Sequence, residues 1–186
     1  PSGEMLHLAA KSNYTKVVIT LLNHGAPITW KDSKGRDVLW VAAENNNHEL
    51  IALLLSYNAI VDGVDNLGQT ALMRATINDC EACAKVLLQY KADPQKASFI
   101  GNTSVMFAAQ KSDQILKLFL QSTIDLSKRN NQTLTPLMLA IKSENLLCVK
   151  TLLAAGANPK RRNKSGENAF DMAATQPEIL ALLESH

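Results

Sequence analysis

The chain has 186 residues, 46% of them hydrophobic, and its 19 basic and 17 acidic side chains leave a formal net charge of +2. A mean hydropathy of −0.06 and the lack of any apolar run near about 18 residues exclude a membrane-spanning helix. The opening P-S-G-E-M-L has neither the basic nor the apolar region of a secretory signal. The expectation is a soluble, intracellular piece of a longer protein, in the cytoplasm or nucleus.

The sequence repeats itself. Gly35, Gly68 and Gly101 recur at intervals of 33, and Gly166 follows after 65. They open the phrases G-R-D-V-L-W-V-A-A, G-Q-T-A-L-M-R-A-T, G-N-T-S-V-M-F-A-A and G-E-N-A-F-D-M-A-A. A fixed period of this length marks stacked modules, each contacting only its neighbours.

In chain order, the first unit (1–31) opens on E-M-L-H-L-A-A from Glu4, which lacks the glycine of the other phrases at its register position. Glutamate is a poor helix cap, so this first helix is expected to fray. The second unit (32–64) has Asp37 at the cap position, the third (65–97) Thr70 and the fourth (98–129) Thr103. In the fifth (130–162), Thr135 precedes Pro136, a favourable cap and first-turn pair, and Thr133 stands where glycine is expected. The sixth (163–186) is capped by Asn168 and reaches Leu182 and Leu183 early, as a shortened terminal cap would.

Two residues past each cap comes an apolar anchor, Leu6, Leu39, Leu72, Val105, Leu137 or Phe170. Three further on is an alanine in every copy, which implies close helix approach. A second, more apolar helix follows, marked by Leu21 and Leu22, Leu54 and Leu55, Leu87 and Leu88, and Leu152 and Leu153. A left-handed turn is expected after it at Gly25 and Gly156, and at Asn58, Lys91 and Thr123, where a side chain makes that conformation costly. The fourth unit is one residue short, with the deletion placed near Gln110 to Asp113.

These phrases resemble the ankyrin repeat, with its T-P-L-H-x-A-A run and later L-L-x-x-G-A-D, here echoed in T-P-L-M-L-A-I from Thr135 and A-G-A-N-P from Ala155. The resemblance spans essentially the whole chain in six units. It implies an all-α solenoid, one domain of stacked helix-turn-helix units with hairpin-like finger loops. It also implies a monomeric, non-catalytic scaffold or adaptor that recruits a protein on a concave surface of fingers and first helices.

On that surface the apolar tips Leu67, Phe99, Ile100 and Leu134 break a polar pattern, and Ile77 extends the patch. At the family's histidine position stand His7, Trp40, Met73, Met106, Met138 and Asp171. Trp40, Met73 and Met106 are read as partner contacts, with packing between units as the competing reading. Trp30 and Trp40 are either anchors or a cover for the first layer. Lys96, Lys128 and Arg161 share one register position and Arg129 and Arg162 the next, a basic ladder suited to an acidic partner segment. The alternative ligand for the ladder is phosphate-rich or a nucleic acid. The fingers of units five and six contain no aromatic stacking platform for one.

No cofactor, metal site or catalytic group is expected. His7, His24, His48 and His186 fall in different units, and Asp62 and Asp65 lie in a solvated finger. Cys80 and Cys83 form a C-x-x-C, but Cys83 and Cys148 share one register position, the mark of core packing. Two layers at about 8 to 10 Å each put Cys83 and Cys148 out of disulfide reach. A reduced compartment follows.

Overall fold

Helix caps set the architecture. The computed structural model describes residues 2–186, and helices α1 to α12 run Gly3–Lys11, Thr15–Asn23, Val38–Glu44, His48–Ser56, Ala71–Ile77, Glu81–Gln89, Ser104–Lys111, Asp113–Phe119, Pro136–Lys142, Leu146–Ala154, Ala169–Met172 and Pro177–Glu184. Among the described residues no strand forms beyond one isolated bridge, Val64 to Thr70. The fold is all-α, as expected.

Asp37, Thr70, Thr103 and Thr135 each accept the backbone N–H three residues on, and Asn168 makes a reciprocal capping box with Asp171. The fraying expected of α1 does not occur. Ser2 caps it by accepting from the Met5 N–H, so the helix starts ahead of Glu4. Glu4 then lies in the first turn, where a carboxylate suits the helix dipole.

The chain divides into two compact units, one ending at Pro94 and one beginning at Gln95. Local contact is inherent in repeats, since each layer touches only its neighbours. In the first unit α1 packs on α2 and α3, α3 on α4 and α5, and α4 and α5 on α6. In the second, α7 packs on α8 and α9, α8 and α9 on α10, and α9 on α11, while α12 packs on α10 and α11. The recurring alanines, Ala9, Ala42, Ala75, Ala108, Ala140 and Ala173, are all buried.

Between the paired helices Asn13, Asn46, Asp79 and Glu144 adopt positive φ. The fourth repeat lacks this residue. There Ser112 both ends α7 and caps α8 in an extended conformation, so the missing residue is the left-handed one. After the second helices Gly25, Asn58, Lys91 and Gly156 are left-handed, but Thr123 is not, and it avoids the steric cost anticipated for it.

Thr133 does adopt positive φ, at 62°, as Gly35, Gly68, Gly101 and Gly166 do. A β-branched residue there is strained. A Cβ at Gly35 or Gly101 would strike Asn66 or Asn131 of the next finger, but the residue facing Thr133 is Lys164, which accommodates the side chain. The Lys164 N–H donates to Thr133 Oγ1 at 2.6 Å, and that hydroxyl donates to the Gln132 carbonyl at 2.7 Å. In the other two linked fingers the backbone N–H bonds directly to that carbonyl, Asn66 to Lys34 at 2.9 Å and Asn131 to Ile100 at 3.1 Å. The hydroxyl is thus inserted into the link. Thr133→Val keeps the strain and removes both bonds. It is expected to lower stability by about 1 kcal/mol, read as a lower urea midpoint with unchanged slope.

Candidate functional site

Finger shape originates in one side chain. Three residues before Gly35, Gly68, Thr133 and Gly166, an Asp or Asn oxygen accepts two backbone N–H groups. Asp32 Oδ1 takes those of Lys34 and Arg36, both at 2.9 Å, and Asp65 Oδ1 those of Leu67 and Gln69 at 2.9 and 2.8 Å. Asn130 Oδ1 takes Gln132 and Leu134, both at 3.0 Å, and Asn163 Oδ1 takes Ser165 and Glu167 at 2.9 and 3.0 Å. Asp65, expected to be solvated, is therefore a buried clamp. The signal was present in the sequence as an Asp or Asn at fixed distance from the glycine, a residue type that bonds its own backbone two residues on.

The fourth finger departs from this. Ser98 holds the clamp position, and its Oγ is buried without a hydrogen-bond partner. The finger keeps its backbone bonds, Ser98 N–H to the Asn102 carbonyl at 2.9 Å and Gly101 N–H to the Ser98 carbonyl at 2.8 Å, and Asn131 Nδ2 donates from outside to the Phe99 carbonyl at 2.9 Å. Its tip exposes Phe99 at 69% and Ile100 at 59%. In the first unit the tip residue Leu67 is 63% exposed, with Asn66 Nδ2 bonding the Ser33 carbonyl at 3.0 Å.

The other apolar candidates are placed differently. Trp40, Met73, Met106 and Leu134, read as partner contacts, are buried and do not face solvent. Met106 and Leu134 pack with Met138, Leu139 and Met172 in one core cluster. The side chain at this register position points between neighbouring layers. Trp40 lies between guanidinium groups, with the Arg36 and Arg74 carbons 5.2 and 5.4 Å from its ring centre, and Arg74 is paired to Glu44. Trp30 covers the first layer, edge-on to His7 at 5.3 Å and against Gly3. Ile77 is half-buried.

Within the second unit, Ile100, Asn102, Gln110, Gln132, Leu139 and Lys142 border a groove of about 520 Å³ between fingers and first helices. Its amides are partly engaged. Asn130 Nδ2 donates to Asn102 Oδ1 at 2.8 Å, and Gln110 Nε2 to the Met106 carbonyl at 3.1 Å. Lys142 is exposed at its edge.

The basic ladder is only partly available. Lys128 Nζ donates to the Gln95 carbonyl at 2.7 Å, Lys96 is half-buried, and Arg162 bonds the Gly166 carbonyl and stands 3.6 Å from Asp171. Arg129 and Arg161 are exposed, as are Lys160 and Lys164. Hydrogen bonds from Ser127, with the fields of Arg161 and Lys128 behind them, hold the Asp125 carboxyl below its usual range.

Cys83 and Cys148 are both buried, as their shared register requires. Burial, chiefly, pushes the Cys148 thiol up to about 12, so it is inert as a nucleophile at neutral pH. Cys80 and Cys83 are joined as a disulfide at the start of α6, which the packing reading did not anticipate. Adjacent turns of a helix start bring their sulfurs together, a proximity that register comparison between repeats cannot reveal. Among the described residues no cluster of His, Cys, Asp or Glu could hold a metal ion, and no helix is long and apolar enough to cross a membrane.

A family model describing three tandem ankyrin repeats matches the chain twice, over residues 6–98 and 95–163. The chain belongs to the ankyrin-repeat family. Ankyrin repeats generally serve as protein–protein interaction modules and are typically non-enzymatic, so the finger tips and the groove of the second unit are the surfaces of interest.

Two outcomes follow for the clamps. Ser98→Asn, which places an amide oxygen where Asn130 has one, is expected to stabilise the fourth finger by about 1 kcal/mol and slow amide exchange at Ile100 and Asn102. The Asp32 carboxyl is pushed up by burial but pulled further down, to about 2, by the Arg36 side chain and the Arg36 and Lys34 N–H groups. Its stabilisation is complete above the ordinary value of 3.8 and lost as pH falls toward 2. Asp32→Asn keeps the clamp oxygen without the charge, and should flatten the fall of the urea midpoint across that interval.

Proposed function

We propose that the chain is a non-catalytic recognition module whose second unit captures an extended protein segment carrying apolar and acidic residues. The observation that carries this reading is the fourth finger. Phe99 and Ile100 stand largely in solvent at its tip, beside a groove that ends on Lys142. Exposing two large apolar side chains on one loop opposes solubility unless a partner covers them. The finger also lacks the internal clamp of its neighbours, which leaves it able to adjust on binding.

Charge supports the acidic half of the reading. Arg129, Arg161, Lys160 and Lys164 are exposed on the same unit, where they would attract carboxylates over a Debye length of about 8 to 10 Å. Leu67 is a second apolar tip, on the first unit, and the reading includes it as a separate contact. A phosphate-rich or nucleic-acid ligand is less favoured, because two of the five ladder cations, Lys128 and Arg162, are engaged by backbone carbonyls. Recruitment inside the cell, in cytoplasm or nucleus, belongs to the same reading, although the Cys80–Cys83 disulfide is unusual for a reducing compartment.

Selection from a random peptide display library against the chain tests this. Enriched peptides are expected to combine apolar and acidic residues, and Phe99→Asp with Ile100→Asp should weaken them at least about tenfold, about 1.4 kcal/mol, while leaving the melt unchanged. Arg129→Glu with Arg161→Glu should slow association and reduce its salt dependence. Peptides that bind the Phe99 and Ile100 double variant as tightly as the parent would overturn the assignment, as would preferential binding of a single-stranded oligonucleotide.

A further inference from the structure

Cys80 and Cys83 close a disulfide over a sequence separation of 3, at the start of α6. Both positions have counterparts in other repeats. Asn47, Ser112 and Asn145 stand where Cys80 does, each capping the second helix of its repeat through a side-chain oxygen. Leu50, Ile115 and Cys148 stand where Cys83 does, all fully buried. The bond thus joins a cap position to a core position, and only here are both cysteine.

Two features set it apart from a structural staple. A disulfide braces a fold through the loop it closes, and its contribution falls as that loop shortens. This one spans a single helical turn, and α4, α8 and α10 are capped at the same position without one. The second feature is unequal access, since Cys80 is half-buried and Cys83 fully buried. An incoming reagent meets Cys80 Sγ first. That sulfur also accepts the Cys83 N–H at 3.3 Å, as the cap oxygens of Asn47 and Asn145 accept theirs. With the disulfide open, a Cys80 thiolate keeps this bond at the positive end of a nine-residue helix, a setting that favours the reactive form. Of its acidic neighbours, Glu81 is paired to Lys85 at 2.6 Å, and Asp79 is exposed, where solvent screens it.

We infer that Cys80 and Cys83 form a reversible dithiol–disulfide site that exchanges with low-molecular-weight thiols and their disulfides. Cys80 is the reacting sulfur and Cys83 the resolving one. In oxidation, the Cys80 thiolate attacks one sulfur of the small disulfide, whose S–S bond breaks and releases a thiolate. A mixed disulfide remains on Cys80. Cys83 then gives up its proton and attacks Cys80 Sγ, expelling the second small thiol. Two cysteine thiols have become one disulfide, and one small disulfide has become two thiols. Reduction runs the same steps backwards, with Cys83 regaining its proton. Cys148, free and buried in another repeat, takes no part.

The test equilibrates the folded chain in glutathione buffers of falling thiol-to-disulfide ratio, quenches with acid and maps the remaining thiols by mass. The pair should pass from open to closed with no change at Cys148. In the reduced chain, limiting iodoacetamide should label Cys80 at least about tenfold faster than Cys83 or Cys148. Cys83→Ala, which keeps the core position apolar, should trap glutathione on Cys80. Cys80→Ser, a cap residue as at Ser112, should leave Cys83 and Cys148 unmodified. Opening the pair should lower Tm by less than about 5 °C. A disulfide that excess reduced glutathione leaves closed in the folded chain, or whose reduction unfolds it, would be a staple and would overturn the inference. Thiols that stay open in oxidised glutathione, or that label equally, would overturn it as well.

Discussion

No repeat in this chain can bury its own apolar surface, and the rest of the structure depends on how closely its neighbour approaches. Alanine sits at the point of contact in all six copies, at positions 9, 42, 75, 108, 140 and 173, and each is buried. A larger side chain there would hold the first helices apart and leave the leucines beside them unsupported, with a cost set by cavity and strain together. Close approach also explains the neighbouring register position. In the inner repeats that side chain is drawn between layers, so Met73 and Met106 end as core, while Asp171 in the last repeat stays exposed.

Helix spacing constrains the fingers in turn. Adjacent fingers are stitched by an asparagine, Asn66 or Asn131, whose amide and backbone both bond the preceding finger. That stitch leaves no room for a Cβ opposite it, so Gly35 and Gly101 are required by space as well as by φ. At Lys164 the asparagine is absent, and Thr133 supplies a hydroxyl to the link in its place.

The same framework decides which residues can meet a partner. Helices and clamps absorb most apolar side chains, and the finger tips are left over because nothing in the stack lies beyond them. Phe99 and Ile100 are exposed on the finger whose clamp is a serine, so the most apolar tip is also the least internally constrained. Rigid layers carrying one adaptable loop are a common arrangement for recognition, since binding residues favour loops positioned by a scaffold.

Residue order alone determined the repeat, the helix pairs, the caps at Asp37, Thr70, Thr103, Thr135 and Asn168, and the site of the deletion, because each rests on contacts within a few residues. It also identified Leu67, Phe99 and Ile100 as tips. Tertiary structure alone decided that Trp40, Met73, Met106 and Leu134 are interior and that Lys128 is engaged by the Gln95 carbonyl. The distinction is physical. Local hydrogen bonding is written in neighbouring residues, whereas burial and the availability of a charge depend on what the next layer, some 33 residues away, places against it.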